Sequence, residues 1–345
     1  MATSPSIDTN TQNIFGHKPG LFVLFFTEMW ERFSYYGMRV LLVVFLVEVA
    51  FDEQWSRADA LALYGIYTGL VYFTPMIGGI LADRVLGYRR AVVLGALIMT
   101  LGHASMALET EAFFYLGLAL LIVGNGLFKP NISSIVGQLY NKNPELKDGA
   151  YTIFYMGINA GAFLGIGLCS YYGEQISYSL GFGLAGIFML IGLLQFWFSQ
   201  DIFGRIGLPP SHPDYLDPKA EADVSTEKMV AGEDQVLDGN LAVGVNTTLP
   251  PDNNSSRGIR WGIIGVVTGG ILYALIAFFS DPQPNALQTF SREFMPPIIL
   301  AAVVGFIGWI VSDKSLTKIE RDRVWVIVIL SFFIVFFWWA FEQAG

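Results

Sequence analysis

The chain consists of long apolar segments separated by short polar breaks. About 20 helical residues cross the roughly 30 Å hydrocarbon core of a bilayer, and nine segments approach or exceed that length. They are residues 21–47, 58–82, 91–108, 112–139, 150–172, 179–199, 258–280, 295–312 and 323–345. The pattern therefore predicts an all-α polytopic membrane protein.

One longer polar stretch divides this series of segments. Residues 201–257 are rich in Asp, Glu, Pro, Asn and Ser, which is the composition of a flexible linker. The chain is therefore expected to have four parts. They are a six-helix bundle at 1–200, the linker at 201–257, a transmembrane hairpin at 258–312 and one further helix at 313–345.

The distribution of Lys and Arg predicts the orientation in the membrane. Fifteen of the 20 basic residues fall on the side of the amino terminus, whereas only Arg57 and Arg292 fall on the opposite side. Because basic loops stay in the cytoplasm, the amino terminus and the linker are expected there. The expected location is the inner or plasma membrane of a cell, crossed many times.

Composition narrows the possible function classes. Only 14% of the residues are charged and 53% are hydrophobic, so lipid must cover part of the surface. The chain has no basic patch for nucleic acid. A single cysteine, Cys169, and three scattered histidines form no metal-ligand pattern. Because no nucleophile–base constellation or phosphate loop occurs either, we expect no enzyme and no metal or cofactor.

Four charged residues interrupt the first apolar segment at helical spacing. The face that they define carries Glu28, Glu31, Arg32, Tyr36 and Arg39. Each charge near the middle of a span costs about 2.5–3.5 kcal/mol in lipid, so four uncompensated charges would cost roughly 10 kcal/mol. They are therefore expected to face a water-filled cavity that is lined by protein. A buried salt bridge that only fixes helix packing is the alternative, although apolar residues would serve packing better.

A lysine lies at membrane depth in the fourth segment. Lys129 needs a carboxylate partner or must lose its proton, and the nearest candidates are Glu28 and Glu31. Pro130 is expected to kink this helix and to free a backbone carbonyl beside the site. Asn159, in the fifth segment, is a further polar group at this depth.

Two other features concern the fifth and last segments. Gly157, Gly161 and Gly165 repeat at four-residue steps, which predicts a face for close helix packing in lipid. Glu342 follows several Trp and Phe residues, and such surroundings disfavour the ionised carboxylate. That property suits a group that exchanges a proton, while a carboxylate at the outer interface is the alternative.

Three motifs resemble those of a known family. Residues 28–39, which read E-x-x-E-R-F-x-Y-Y-G-M-R, resemble the first signature of the proton-dependent oligopeptide transporters, a branch of the major facilitator superfamily. Residues 154–161, which read F-Y-M-G-I-N-A-G, look like that family's second signature. Residues 79–90 resemble the general facilitator loop motif, G-x-x-x-D-R-x-x-G-x-R-R.

The resemblance implies a major facilitator fold that extends over the whole chain. Bacterial members of the family have an extra hairpin between the sixth and seventh core helices, so 258–312 would be that hairpin and 313–345 would hold core helix seven. The remaining core helices of the carboxy-terminal bundle would then follow Gly345. On this basis the sequence is expected to be truncated.

The resemblance also implies roles for individual residues. Proton coupling would involve Glu28, Glu31, Arg32, Lys129 and Glu342. Substrate binding would involve Tyr35, Tyr36, Arg39, Tyr72, Lys129, Asn159, Trp338 and Glu342. A cytoplasmic gate would involve Asp83, Arg84, Arg89 and Arg90.

The implied function is proton-coupled symport of di- and tripeptides by alternating access, with protons as the coupling ion and a monomer as the functional unit. Two alternatives stay open. The same fold could move another small anion such as nitrate. The chain, as it stands, could also be a fragment that does not transport.

Overall fold

The computed structural model describes residues 13–49, 55–215, 254–279, 285–313, 316 and 318–343, and within these ranges every extended element is a helix. In chain order the main helices are α1 (Pro19–Glu48), α2 (Arg57–Leu86), α3 (Tyr88–Met106), α4 (Glu111–Leu139), α5 (Lys147–Gln175), α6 (Tyr178–Phe198), α7 (Asn254–Phe279), α8 (Ala286–Val311) and α9 (Lys318–Gln343). Each of the nine predicted apolar segments is confirmed as a helix with ends shifted by a few residues, except that α8 begins well before the predicted segment. Most of the predicted linker, 216–253, lies outside the described residues.

Six helices in the described part are long and apolar enough to cross a membrane: α2, α4, α5 with its preceding turn, α6, α7 and α8. Helix α1 has sufficient length, but Glu28, Glu31, Arg32 and Arg39 make it too highly charged for this group. The prediction of an all-α polytopic membrane protein is confirmed. The charges in α1 need a structural explanation because lipid alone would not accommodate them.

Local sequence signals account for several helix ends. The Ser56 side chain accepts a hydrogen bond from the Asp59 backbone N–H at the start of α2. Ser177 caps α6 in the same way, through the backbone N–H of Leu180. Pro19 occupies the first position of α1, where its missing N–H costs no intrahelical bond. These caps satisfy backbone donors that a helix cannot satisfy internally.

The chain divides into two compact units, residues 1–237 and 238–345. In the first unit, α1 packs against α5 and α6, α3 packs against α4 and α6, and α2 packs against α4. Buried aromatic residues fill the spaces between these helices. They include Phe33, Phe45, Phe114, Phe128 and Phe182.

The predicted glycine face of α5 is confirmed as the contact with α1. A Cβ at Gly157, Gly161 or Gly165 would collide with a backbone carbonyl oxygen of α1, at Phe25, Met29 or Phe33 in turn. The absence of side chains lets the two helices approach backbone to backbone, as small residues do in membranes. This contact holds α1 close to α5, while the charged face of α1 contacts α4.

Helix α4 runs antiparallel to α1, and hydrogen bonds join the amino-terminal end of α1 to the carboxyl end of α4. Lys18 Nζ donates to the Leu139 carbonyl at 2.7 Å, at the carboxyl end of α4. The Tyr140 hydroxyl lies 3.2 Å from the Lys18 backbone N and 3.0 Å from His17 Nδ1. Burial, and to a lesser extent the nearby Lys142, lowers the pKa of Lys18. These bonds set the register of α1 against α4 and therefore of the site between them.

Pro130 and two glycines shape the crossing of α4 with α2. Pro130 has no N–H to donate to the Gly126 carbonyl, as predicted from the sequence. A Cβ at Gly78 of α2 would overlap that carbonyl, so only glycine permits the contact. The freed carbonyl therefore packs against α2, and α4 continues as one helix through the proline.

The second unit contains α7, α8 and α9. Gly265 and Gly269 of α7 lie against the backbone carbonyls of Ala301 and Pro297 in α8. At the end of this pair of helices, Arg257 Nη2 and Asp313 Oδ2 form an ion pair at 2.9 Å. The predicted transmembrane hairpin therefore consists of two closely packed helices. The proposed boundaries of the four parts of the chain stay predictions.

Candidate functional site

Four charged groups of α1 and α4 form one buried network. Arg32 binds both carboxylate oxygens of Glu31, with Nε to Oε2 at 2.5 Å and Nη2 to Oε1 at 2.6 Å. Lys129 Nζ lies 2.5 Å from Glu28 Oε1, and Arg32 Nε lies 3.4 Å from the same oxygen. The predicted convergence of Lys129 on the carboxylates of α1 is thus present.

Helical spacing explains why these groups meet. Glu28, Glu31 and Arg32 lie at i, i+3 and i+4, so their side chains share one face of α1. That face lies toward α4, where Lys129 and Asn125 are one turn apart. Because the helices are antiparallel, Lys129 reaches Glu28 while Asn125 reaches Glu31, at 3.4 Å from Nδ2 to Oε1.

The network balances its charges but leaves one oxygen unsatisfied. Two carboxylates oppose one guanidinium and one ammonium, so the buried group is neutral overall, which limits the cost of desolvation. Both glutamate side chains are fully buried. Glu28 Oε2 has no hydrogen-bond partner among the described residues.

Aromatic rings surround the cations of α1. The Arg32 guanidinium lies 4.9 Å from the Tyr35 ring centroid and 5.9 Å from that of Tyr36, within range for cation–π attraction. Arg39 lies two helical turns beyond Arg32 and contacts α2. It donates from Nε to the Tyr64 hydroxyl of α2, and its guanidinium lies 5.1 Å from the Tyr64 ring centroid.

Lys129 is the member of the network that is partly exposed. Its side chain is 31% exposed, in contrast to the buried glutamates that it meets. It borders a groove of about 630 Å³ between α4 and α5, which is within the usual size range of ligand sites. The groove is lined by Lys129, Ser133, Tyr151, Thr152, Phe154, Tyr155, Met156 and Ile158. A small anionic ligand in this groove would reach the ammonium group directly.

Two of the remaining predicted pocket residues, Asn159 and Tyr72, form no hydrogen bond or ion pair with the network in the described part of the chain. Asn159 is exposed and donates from Nδ2 to the Tyr155 carbonyl at 3.2 Å, one turn along α5. The Tyr72 side chain is 70% exposed. Trp338 and Glu342 belong to α9, and their side chains lie outside the described residues. Their predicted roles therefore stay predictions.

The residues of the predicted gate make a contact that the sequence did not indicate. Arg89 donates from Nε to the Ile206 carbonyl and from Nη2 to the Gly204 carbonyl, both at 2.5 Å. Asp83 accepts a hydrogen bond from the Tyr88 hydroxyl at 2.6 Å. Arg84 and Arg90 are exposed. Arg89 therefore binds backbone carbonyls of the segment that follows α6.

Sequence reasoning overlooked two polar contacts, those of Asn125 and Tyr64. Asn125 lies one turn before Lys129, so a search for polar residues at i−4 from a buried charge would have found it. Tyr64 carries no comparable signal, because a tyrosine in an apolar segment is common and its partner Arg39 is remote in sequence.

Several known proteins are similar to this chain in sequence and in structure. Residues 89–217 match the model of the POT family. A di-/tripeptide transporter of Lactococcus lactis subsp. lactis is 39% identical over 321 residues, which are 91% of this chain and 62% of that protein. The peptide transporter YePEPT of Yersinia enterocolitica is 32% identical over 343 residues, with 97% and 60% covered.

Solved structures agree with the sequence comparison. The crystal structure of a peptide transporter POT in complex with sulfate has a TM-score of 0.56 at 31% identity, and the match covers 86% of this chain and 67% of that one. The chain thus spans about 60% of the length of the two curated relatives described above.

The fold and the buried charges define a polytopic α-helical membrane protein of the major facilitator type. Within that class, the chain belongs to the POT family. The resemblance stated from residues 28–39, 79–90 and 154–161 is therefore confirmed. The individual roles that it implies are not tested by these comparisons.

Proposed function

We propose that this protein is a proton-coupled symporter of di- and tripeptides that works by alternating access. The observation that carries the proposal is the Glu28–Lys129 ion pair, in which Glu28 is buried and Lys129 borders an open groove. Supporting it, the L. lactis relative is named a di-/tripeptide transporter and the Yersinia relative a peptide transporter.

Proton coupling arises because Glu28 and the peptide carboxylate compete for Lys129. While Glu28 is ionised, it holds the ammonium group at 2.5 Å. A proton on Glu28 removes that attraction and frees Lys129 to bind a carboxylate in the groove. Glu31 and Arg32 form the adjacent pair of the same network, and Glu342 supplies a further proton-exchanging acid. Each state then favours a different arrangement of the helices.

A short peptide offers complementary chemistry to the predicted pocket. Lys129 and Arg39 bind its carboxylate, and Asn159 bonds to its backbone amide. The amine is bound by Glu342. The aromatic residues Tyr35, Tyr36, Tyr72 and Trp338 form walls that accept varied side chains. At the cytoplasmic end, Asp83, Arg84, Arg89 and Arg90 control opening of the gate.

The proposal includes location and assembly. The protein lies in the inner or plasma membrane with its amino terminus in the cytoplasm, and a monomer is the functional unit. Transport proceeds without covalent chemistry, so no enzymatic activity is expected. Protease digestion of an amino-terminal tag, compared between right-side-out and inverted vesicles, tests the orientation.

Uptake measurements test the main claim. The protein is produced from the complete reading frame that encodes this chain and is reconstituted into liposomes with a labelled dipeptide outside. An inward proton gradient is expected to drive accumulation, and a protonophore is expected to abolish it. Accumulation that ignores the gradient contradicts proton coupling. Competition by nitrate in place of dipeptide contradicts the proposed substrate and favours an anion transporter.

A pair of lysine variants links uptake to the site. Lys129→Gln is expected to abolish gradient-driven uptake, because the pocket loses its cation. Lys142→Gln makes the same change at an exposed position after α4 and is expected to retain uptake. Equal loss in both variants would indicate a general effect of removing a lysine and would argue against this site.

A further inference from the structure

Asn125 is the second contact between α4 and the acidic face of α1. Its side chain is buried, with 4% of its surface exposed. Nδ2 lies 3.4 Å from Glu31 Oε1, an oxygen that also accepts from Arg32 Nη2 at 2.6 Å. The Asn125–Glu31 contact therefore repeats the Lys129–Glu28 contact one helical turn further along.

Among the described residues, Arg32 and Asn125 form hydrogen bonds with Glu31, and of these two only Asn125 can change between donor and acceptor. A guanidinium has donors and no acceptor, whereas a side-chain amide has both. An ionised Glu31 accepts from both Arg32 and Asn125. A protonated Glu31 must donate its O–H, and Asn125 can accept it through Oδ1 after the amide rotates. Arg32 cannot accept it in either state.

We propose that Asn125 is a positioning residue that keeps Glu31 hydrogen-bonded in both its ionised and its protonated form. The inference rests on the proposed proton coupling and extends it to a residue outside the charged network. Asn125 carries no charge and takes no proton itself. It acts by deciding how readily Glu31 gains one.

Other groups also act on Glu31 and have to be held constant in any test. On α1 these are Glu28, Arg32 and Tyr36, on α2 Tyr67, and on α4 Lys129. On α5, Gly161 packs beside Arg32 without a side chain. Substitution of Asn125 leaves all of these groups in place.

The direction of the effect follows from the difference between the two bonds that are lost. Asn125→Leu, at similar side-chain volume, removes both the N–H that bonds to ionised Glu31 and the Oδ1 that bonds to protonated Glu31. The bond to the ionised form is charge-assisted and roughly twice as strong, so its loss dominates and the protonated form is favoured. The pH of half-maximal gradient-driven uptake should then move upward by roughly half to one unit, if the two bonds differ by about 1 kcal/mol. Asn125→Asp places a like charge beside Glu31 and should move the midpoint further in the same direction.

Counterflow of labelled dipeptide, measured without a proton gradient, separates positioning from a loss of folding or binding. Asn125→Leu is expected to retain counterflow while its pH midpoint moves. Asn131 provides the matched control, because this buried amide of α4 donates to the Leu127 carbonyl at 2.6 Å and to the Gly78 carbonyl at 3.4 Å. Asn131→Leu should leave the pH midpoint unchanged.

The outcomes distinguish this inference from the proposed function. If the unmodified protein shows no gradient-driven peptide uptake, the proposed function fails. If the unmodified protein is driven by protons but Asn125→Leu and Asn125→Asp both keep its pH midpoint, the inference alone fails. The inference alone also fails if Asn131→Leu moves the pH midpoint as far as Asn125→Leu does. A selective upward shift at Asn125 supports the assignment.

Discussion

A buried charge in this protein is stabilised only while its partner is present. Glu28 is fully buried and depends on Lys129, with weaker help from Arg32. Breaking a buried pair by removing one partner costs about 3–5 kcal/mol, whereas removing both is far less damaging. The residues of the network are therefore expected to be energetically coupled.

A double-mutant cycle tests this coupling. Glu28→Gln and Lys129→Gln should each lower the free energy of unfolding by about 3–5 kcal/mol. The double variant should be more stable than either single variant, because no unpaired charge remains in it. Thermal unfolding of the purified protein in detergent measures the effect. Additive losses would indicate that the two side chains do not form the pair described above.

A second residue-scale prediction concerns Arg39. Tyr64→Phe removes the hydroxyl that accepts from Arg39 Nε and keeps the ring. The loss of an acceptor for a charged donor should destabilise the protein by about 1–3 kcal/mol. It should also raise KM for a dipeptide, if Arg39 binds the substrate carboxylate. Tyr171→Phe, at an exposed tyrosine of α5, serves as the control and should change neither value.

The charged part of the site was predictable from the sequence, and its hydrogen-bonding surroundings were not. A charge in an apolar segment is costly unless an opposite charge compensates it, so the sequence alone predicts that Glu28 and Lys129 are partners. A neutral amide or phenol costs much less there, so Tyr64 gave no signal and Asn125 is marked only by its position four residues before Lys129. Their roles depend on the register between helices, which the apolar pattern of a single segment does not specify.

At the scale of elements, the contact of α1 with α5 depends on glycine. Gly161 lies against the Met29 carbonyl and the Arg32 Cβ, where an added methyl group would collide with backbone. The four-residue spacing of Gly157, Gly161 and Gly165 predicted this contact before the partner helix was known. The spacing could identify the face of α5, but it could not identify α1 as the helix that packs there.

Substitution of Gly161 by alanine is therefore expected to push α5 away from α1. Gly161→Ala should lower the free energy of unfolding by about 1–3 kcal/mol, which is the usual cost of overpacking. It should also weaken gradient-driven uptake, because Arg32 lies directly against the displaced helix. Thermal unfolding and dipeptide uptake, measured on the same preparation, check both effects.

Gly167 provides a matched control within α5. A Cβ at Gly167 would meet nothing within 4 Å, and the residue is exposed. Alanine is the better helix former, by about 1 kcal/mol in an exposed helix in water. Gly167→Ala should therefore be neutral or stabilising. A loss of stability as large as that of Gly161→Ala would contradict the proposed backbone contact.

At the scale of the first unit, the segment after α6 packs against the junction of α2 and α3. Gly87 joins α2 to α3 with φ of 73°, and its position against the Pro209 backbone leaves no space for a Cβ. Arg89 then donates to the Gly204 and Ile206 carbonyls. The facilitator loop motif thus binds a segment more than 100 residues further along the chain.

This contact could not be derived from the sequence, and the reason is physical. Backbone carbonyls are present at every residue, so nothing in the sequence marks the ones that Arg89 binds. The resemblance to the facilitator loop motif implied a gating role for these arginines, but it did not identify the groups that they bind. The segment 200–215 supplies these carbonyl acceptors through Gly204 and Ile206, and Asp201 in the same segment attracts the guanidinium electrostatically.

The prediction for the first unit concerns Arg89 and its neighbour. Arg89→Ala removes two charge-assisted hydrogen bonds, and each is worth about 1.5–3 kcal/mol. We expect faster protease cleavage at Arg205, because the segment after α6 loses its anchor on α3. Arg90→Ala, at the adjacent exposed arginine, should leave cleavage at Arg205 unchanged. Equal cleavage in the two variants would show that the segment is held by contacts other than Arg89. Selective cleavage in Arg89→Ala would establish this residue as the tie between the loop motif and the chain that follows α6, a contact that any movement of the proposed gate would have to break.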